Sequence, residues 1–252
     1  MKVNWIKTPF LPQNTVTLAF MSHNEKIFQK ILEESFSIRV LSVPVLCKIP
    51  EPVGSHADMV CCPLGENRIA VERSQQQWIS ELKKIGFVAL QSDKSAHEVY
   101  PNDVLLNGAF IGNRLFCNPK TLDPSILNYA LKSDYTIASV RQGYTKCSIA
   151  VITESAIITA DQAIAKKAKE LKMDVLEIRE GHIELSGFSY GFIGGCCGKL
   201  SRDLMVFTGN IDLHPDGKNI ITFLRNYGIY SCSLTQEHIL KDIGGIIPVA
   251  EI

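Results

Sequence analysis

Two apolar runs joined by a short polar turn occur four times along this chain of 252 residues, at nearly constant spacing. The four copies are, in chain order, HADMVCCPLGENRIAVERS, PNDVLLNGAFIGNRLFCNP, YTKCSIAVITESAIITADQ and YGFIGGCCGKLSRDLMVFTGN. The spacing is 45 residues from Asp58 to Asp103, 44 from Asp103 to Cys147, and 45 from Cys147 to Phe192. Self-similarity with such a period indicates one supersecondary unit that is repeated along the chain.

A helical pattern and a further short apolar run follow each of these predicted hairpins. SQQQWISELKKIG leads to FVALQ, DPSILNYALKSD to YTIASV, DQAIAKKAKELK to MDVLEI, and DGKNIITFLRNYG to IYSCSL. Apolar residues recur every three or four positions in the helical stretches, as they do on one face of an amphipathic helix. Each unit is therefore predicted to contain a strand, a strand, a helix and a strand, which places the chain in the α/β class.

The first unit lacks an opening strand. TVTLAFMS, NEKIFQKILEES and IRVLSV supply a strand, a helix and a strand, whereas the far C-terminus, DIGGIIPVAEI, supplies a strand that no other unit uses. Like DMVCCP in the second unit, this C-terminal stretch has an Asp, an apolar run and a Pro. We expect it to complete the first unit and to give one domain, residues 1–252, with five repeats at 13–45 plus 242–252, 56–92, 101–140, 144–180 and 188–236.

The second unit opens with SHADMVCCP, which places two titratable side chains at the head of a predicted strand. Side chains two residues apart on a strand point to the same side, so His56 and Asp58 are expected to share one face. By the same rule, Lys146 and Cys147 are neighbours on the opening strand of the fourth unit and are expected to point to opposite faces.

Five strand–strand–helix–strand units that close through the C-terminus resemble the pentein, or α/β-propeller, fold. The stretches GFSYGFIGG, FTGNIDLHPDG and LKDIGGIIPV resemble those of a small family of uncharacterised bacterial proteins with this fold. Members of the pentein fold include arginine deiminase, agmatine deiminase, dimethylarginine dimethylaminohydrolase and the amidinotransferases, which modify guanidino groups, and the non-catalytic translation initiation factor six. The resemblance implies a central pocket lined by the heads of the opening strands, here His56, Asp58, Asp103, Cys147, 191–195 and Asp242.

The hydrolases of that fold use a cysteine thiolate to attack the guanidinium carbon, a histidine to move protons, and carboxylates to hold the guanidinium. Asp58 and Asp103 occur in the units that carry the holding carboxylates in those enzymes. HAD is similar to the His-x-Asp motif of the deiminases, but in those enzymes the motif lies two units later, where this chain has Lys146 and Cys147. Their nucleophilic cysteine lies in the closing strand, whereas this chain has Asp242 there and no cysteine after it.

Three interpretations of function stay open. In the first, the catalytic set is rotated around the ring, with Cys147 as the nucleophile and His56 as the base. In the second, the pocket binds a small cationic guanidino- or amino-type compound without chemistry. Both interpretations assign ligand contacts to Asp58, Asp103, Asp242 and Asn102. The third, from another class, is a non-catalytic interaction protein comparable to translation initiation factor six.

The same residues also fit purely structural roles. Cys147 precedes the apolar run SIAVI and fits an inert buried thiol equally well, and His56 fits the cap of a strand or turn. The doublet Cys196–Cys197 lies in GGCCG, where the glycines indicate a tight turn or a close backbone approach rather than a redox or metal site. Asp216 is expected to be a helix N-cap.

The charge balance and the hydropathy of the chain argue against several kinds of binding partner. The chain has 26 Lys and Arg against 26 Asp and Glu and no basic stripe, so we expect no nucleic-acid binding. No window approaches about 18 uninterrupted apolar residues, so no membrane partner is expected. The N-terminus lacks the apolar core of a signal peptide, which favours a cytoplasmic protein whose eight cysteines are reduced. Because nucleotide and zinc motifs are absent from the sequence, we expect no cofactor and no metal.

Overall fold

Five small sheets with the same order of pairing contain most of the strands in the computed structural model, which describes residues 3–252. The strands are β1 (Asn4–Trp5), β2 (Val16–Met21), β3 (Arg39–Ser42), β4 (Cys61–Gly65), β5 (Arg68–Val71), β6 (Val88–Gln91), β7 (Ala109–Ile111), β8 (Arg114–Cys117), β9 (Thr136–Ser139), β10 (Ala150–Thr153), β11 (Ala156–Thr159), β12 (Asp174–Glu177), β13 (Ile183–Glu184), β14 (Cys197–Lys199), β15 (Leu204–Phe207), β16 (Tyr230–Ser233), β17 (Leu240–Lys241) and β18 (Ile247–Glu251). The helices are α1 (Lys26–Phe36), α2 (Ala57–Val60), α3 (Gln76–Lys84), α4 (Pro124–Lys132), α5 (Gln162–Glu170) and α6 (Gly217–Asn226).

Each sheet contains an antiparallel pair followed by a parallel pair. In the sheet β4-β5-β6, for example, Cys62 lies opposite Ala70 in the antiparallel pair, and Ala70 lies opposite Leu90 in the parallel pair. The two residues of a short turn suffice for the first connection, whereas the parallel connection needs a crossover, which a helix supplies. The sheets β7-β8-β9, β10-β11-β12 and β14-β15-β16 repeat this arrangement.

The two ends of the chain meet in the remaining sheet, whose order is β1-β18-β2-β3. The C-terminal strand β18 is antiparallel to β2, with Ile247 opposite Phe20, and β2 is parallel to β3. Strand β18 therefore occupies the position of the opening strand that the first unit lacks. Strands β13 and β17 form a separate two-stranded parallel sheet.

Side-chain caps and apolar faces explain why the crossover segments are helical. The carboxylates of Asp123 and Asp161 accept hydrogen bonds from backbone amides at the starts of α4 and α5. The positions that face inward along α3 are Trp78, Ile79 and Leu82, at the three- and four-residue spacing of an amphipathic helix. Their burial packs α3 against β6 of its own unit. No helix in residues 3–252 is long and apolar enough to span a bilayer.

The starts of the opening strands differ from the prediction. His56 does not lie on a strand: it is the N-cap residue of α2, its carbonyl accepts hydrogen bonds from the amides of Met59 and Val60, and β4 begins only at Cys61. Strand alternation therefore does not relate His56 to Asp58. Cys147 likewise lies in a turn that precedes β10.

Residues that are equally spaced in the sequence do not all lie at the same distance before the opening strands of their units. Asp58 and Cys147 each lie three residues before their strand, whereas Asp103 lies six residues before β7 and Asp242 lies five before β18. The reason is that the connections differ in length, since β7 starts 48 residues after β4 but β10 starts only 41 after β7. Asp103 is therefore not the counterpart of Asp58.

Candidate functional site

The turns before the opening strands contact one another in succession. The side-chain amide of Asn107, before β7, donates to the carbonyl oxygen of Asp58, before β4, at 3.1 Å. The oxygen of the same amide accepts from the backbone N–H of Cys147, before β10, also at 3.1 Å. The carbonyl of Cys147 in turn accepts from the N–H of Gly194, before β14, at 2.8 Å.

The succession returns to its starting point through the turn before β18. The carbonyl of Gly195 accepts from the backbone N–H groups of Ile243 and Gly245 at 2.9 and 2.8 Å. Asp242 of this turn places its Oδ1 atom 3.7 Å from Nδ1 of His56, which is again before β4. Contacts thus link all five turns in a closed cycle, and the side chains of these turns share one buried centre.

Glycines make this convergence possible. A Cβ atom on Gly195 would lie 1.8 Å from Oδ1 of Asp242, and one on Gly244 would lie 2.4 Å from Cβ of His56. A Cβ atom on Gly194 would lie 2.3 Å from the carbonyl oxygen of Ile149. The glycines of GGCCG therefore mark close backbone approaches, which confirms that prediction from the sequence.

A buried ion pair lies at the centre of the cycle. Nζ of Lys146 is 3.6 Å from Oδ2 of Asp58 and donates a 2.6 Å hydrogen bond to the carbonyl of Gly194. Burial raises the pKa of the Asp58 carboxyl by more than the positive charge of Lys146 lowers it. Burial lowers the pKa of Lys146, but Asp58 together with Cys197, Cys147 and Asp242 raises it by more, so the pKa lies above its ordinary value. Lys146 is therefore charged at neutral pH.

The thiol of Cys147 contacts the same carboxylate. Its Sγ atom donates to Oδ2 of Asp58 at 3.0 Å and accepts from the amide of Asn107, also at 3.0 Å. Lys146 and Cys147 thus both reach Asp58, which corrects the expectation that they point to opposite faces; they lie in a turn and not on a strand. Burial raises the pKa of the Cys147 thiol well above its ordinary value, and the charges of Asp58 and Asp242 raise it further.

The thiol opens onto a cavity of about 260 Å³ with mostly apolar walls. The residues that line it are Val53, His56, Met59, Tyr144, Cys147, Leu185, Phe188, Ser189, Tyr190, Phe192 and Asp242. Four of these side chains are aromatic, and the rings of Tyr144 and Phe192 stack with centroids 5.9 Å apart. The cavity is therefore a mainly apolar chamber, in part aromatic, into which a thiol, an imidazole and one carboxylate project.

The carboxylate of Asp242 is held in a fixed orientation. Its Oδ2 atom accepts from the backbone N–H of Phe192 at 2.8 Å, and its Oδ1 atom accepts from the N–H of Gly244 at 3.0 Å. Both oxygens keep further lone pairs that a ligand can use. The residue is only 3% exposed, so a cation that reaches it from the cavity meets the charge with little competing water.

The other predicted ligand contacts are placed differently. Asp103 is buried and accepts a hydrogen bond from the hydroxyl of Tyr144, so it contacts a wall residue and does not itself line the cavity. Burial is the main cause that raises the pKa of Tyr144, and the hydrogen bond to the Asp103 carboxylate raises it further. Asp58 contacts the cavity only through Cys147. Asn102 is exposed, and its carbonyl accepts from the N–H of His97 at 3.1 Å. The expected pocket of three carboxylates is thus a cavity with one.

The sequence did not reveal two parts of the site. Asn107, in LLNGAF, is a buried amide inside an apolar run just before a strand, and that pattern is the signal that could have found it. The aromatic wall comes largely from the segment 185–192, between two sheets, where no periodic pattern applies.

The remaining titratable candidates lie elsewhere. Cys196 and Cys197 are buried, and both thiols donate to the carbonyl of Ile193. Asp216 is at the N-cap position of α6, but its carboxylate binds Arg179 instead of the helix amides. Within residues 3–252, no group of three or more His, Cys, Asp or Glu side chains is placed to hold a metal ion.

Guanidino-modifying enzymes have the same fold. An amidinotransferase of saxitoxin biosynthesis from Microseira wollei is similar over 90% of this chain and 91% of its own, with a TM-score of 0.60 and 11% identity. For DDAH from Pseudomonas aeruginosa in complex with citrulline, the coverage is 92% and 96%, the TM-score 0.58 and the identity 8%. Inosamine-phosphate amidinotransferase from Streptomyces griseus is similar over 98% of this chain and 97% of its own, with a TM-score of 0.55 and 11% identity. The fold of this chain is therefore the pentein fold.

The sequence also matches a family model over residues 20–247. The chain belongs to that family, which is described as a family of unknown function, DUF6873. The search of curated proteins finds no match.

Proposed function

We propose that this protein binds a small cationic compound of the guanidino or amino type in the cavity next to Cys147. The observation that carries the proposal is the buried, oriented carboxylate of Asp242 in a mainly apolar, partly aromatic chamber of about 260 Å³. A cation gains Coulomb energy from the carboxylate and can contact the aromatic rings of Tyr144, Tyr190 and Phe192, which line the cavity. The names of the neighbours support this class, since they include amidinotransferases and an agmatine deiminase.

We also infer that the five sheets are arranged as a five-bladed propeller in one domain, residues 1–252, with this site at its centre. The closed cycle of contacts among the five turns supports the inference. A ring of units brings the starts of its opening strands to a common centre, and the cycle has one member from each unit. The position of β18 beside β2 supports closure through the C-terminal strand.

Calorimetric titration with n-butylguanidine tests the binding proposal. We expect the wild type to bind and Asp242→Asn to lose at least about tenfold in affinity, because the amide keeps the size of the side chain but removes its charge. Asp134→Asn is the matched control, since this exposed aspartate has a φ of 59°, which asparagine accepts readily. Equal affinity of the wild type and Asp242→Asn would overturn the proposal.

A second function, hydrolysis of the bound compound, is favoured by the contacts of the Cys147 thiol. The thiol already donates to Asp58, a carboxyl whose pKa burial raises, so Asp58 can take up the proton. A cation bound at Asp242 offsets the negative charges that raise the pKa of the thiol. The amide of Asn107 holds the sulfur in place.

The proposed steps conserve atoms and charge. Sγ of Cys147 forms a bond to the central carbon of the guanidinium while its proton passes to Asp58. The C–N bond to the leaving amine breaks, and His56 gives that amine a proton, which the proton on Asp58 replaces overall. Water then adds to the same carbon and the C–S bond breaks. One proton of the water returns to the thiol, the other leaves on the released amine, which departs as ammonium, and the neutral ureido product leaves.

Alkylation with 2-chloroacetamidine tests the second function. The exposed Cys47 and half-buried Cys232 are first replaced by serine, so that the other six thiols, all buried, report alone. We expect Cys147 to react at least about tenfold faster with the amidine than with iodoacetamide, and Asp242→Asn to abolish the difference. Equal slow rates with both reagents would show that Cys147 is a structural thiol and would remove the hydrolase proposal without touching the binding proposal.

A further inference from the structure

The walls of the cavity contain no permanent positive charge. Of the described residues that line it, none is a lysine or an arginine. The polar side-chain groups that line it belong to His56, Tyr144, Cys147, Ser189, Tyr190 and Asp242. Among these, Asp242 carries the fixed charge, and it is negative. The cavity can therefore neutralise a cation, but it offers no fixed cation to a ligand carboxylate.

Two cationic side chains near this region are engaged with other groups. The ammonium of Lys146 binds the carbonyl of Gly194 and pairs with Asp58, and it does not line the cavity. The guanidinium of Arg179 contacts both carboxylate oxygens of Asp216 and the carbonyl of Pro215. Arg179 lines a separate space of about 50 Å³, which shares only Tyr190 and Phe192 with the site.

We propose that the ligand is a cation without a carboxylate, such as an alkylguanidine or alkylamine, and not an amino acid; this rests on the proposed cation site. A carboxylate in this chamber would lose its hydration without gaining a lysine or arginine partner, and it would be repelled by Asp242. An apolar body, in contrast, packs against Met59, Leu185 and Phe188.

Three probes that share a four-carbon chain separate charge from size. They are n-butylguanidine, 4-guanidinobutanamide and 4-guanidinobutanoate, of which the last two have the same number of heavy atoms and differ in charge. In calorimetric titrations of the full chain, we expect the first two to bind and the carboxylate to bind at least about 30-fold more weakly than the amide.

The outcomes separate this inference from the proposal on which it rests. Affinities of the amide and the carboxylate within threefold of each other would overturn the inference and leave the cation site intact. Binding of none of the three probes would overturn both. Loss of carboxylate binding in Arg179→Ala, with unchanged binding of the amide, would also overturn the inference, because it would identify Arg179 as the missing partner.

A designed lysine provides the converse test. Ser189 is exposed and lines the cavity, so Ser189→Lys places a cation at its rim, whereas Ser186→Lys adds the same charge on an exposed neighbour outside it. We expect Ser189→Lys, and not Ser186→Lys, to raise the affinity for 4-guanidinobutanoate about tenfold relative to the amide. An equal change for both probes would count against the inference.

Discussion

Replacement of Lys146 by methionine removes the ammonium that pairs with the buried Asp58 carboxylate while nearly keeping the volume of the side chain. At 3.6 Å and an effective dielectric constant of about 20, the pair interaction is about 5 kcal/mol. Part of this loss is offset, because the variant no longer buries an ammonium group away from water and because Asp58 can become protonated. Loss of one partner of a buried ion pair costs about 3–5 kcal/mol of stability. We therefore expect the free energy of unfolding of Lys146→Met to be about 3 kcal/mol lower than that of the wild type at pH 8.

The loss depends on pH in a defined direction. Lys146 lowers the pKa of Asp58 in the wild type, so its removal raises that pKa further above the unfolded value of about 3.9. A carboxyl with a raised folded pKa favours folding most when it is protonated, and this contribution is lost as the pH rises through the folded pKa. The difference in unfolding free energy between the wild type and Lys146→Met should therefore grow from pH 5 to pH 8.

Urea unfolding followed by circular dichroism measures these free energies. Asp58→Asn and the double variant complete a double-mutant cycle, and we expect a coupling energy of at least about 2 kcal/mol at pH 8. A loss below about 1 kcal/mol in Lys146→Met that does not change with pH would refute the reasoning, because it would mean that the pair is not buried and coupled.

Three further variants probe the site and its surroundings by urea unfolding. Gly195→Ala should cost at least about 3 kcal/mol, since its Cβ would lie 1.8 Å from a carboxylate oxygen, whereas Gly228→Ala, with open space and a φ of 68°, should cost only about 1 kcal/mol. Asn107→Ala should cost about 2–4 kcal/mol by leaving buried groups unpaired, whereas replacement of the half-buried Asn118 by alanine should cost under 1 kcal/mol. Burial lowers the pKa of Lys199 to about 8, so at pH 7 the folded wild type carries a buried charge that costs stability, and at pH 10 it does not. Lys199→Met removes this cost, so its gain in unfolding free energy over the wild type should be larger at pH 7 than at pH 10. A uniform cost for both glycines, a neutral Asn107→Ala, or the opposite pH trend would contradict the respective expectation.

The strand and helix content of the units could be predicted because it follows from local periodicity. The five crossover helices and the two strands beside each lie where alternation and three- to four-residue spacing put them. Glycines at turns, such as Gly194 and Gly195, could also be identified as close approaches. These features depend on neighbours in the sequence, so the sequence alone is informative about them.

The site was less predictable because it depends on contacts between distant segments. The 45-residue spacing suggested that Asp58 and Asp103 are equivalent, but connections of different length displace Asp103 to the hydroxyl of Tyr144. His56, Cys147 and Asp242 do line one cavity, as the repeat suggested. Nothing local indicated that only one of the three carboxylates would face it.

The most direct test of the account is a crystal structure of Cys147→Ser soaked with n-butylguanidine, because serine blocks the thiol chemistry and keeps the cavity. The account predicts a guanidinium nitrogen within about 3.2 Å of a carboxylate oxygen of Asp242, with the butyl chain against Leu185 and Phe188. A guanidinium bound away from Asp242, or an empty cavity at a saturating concentration of the compound, would contradict it.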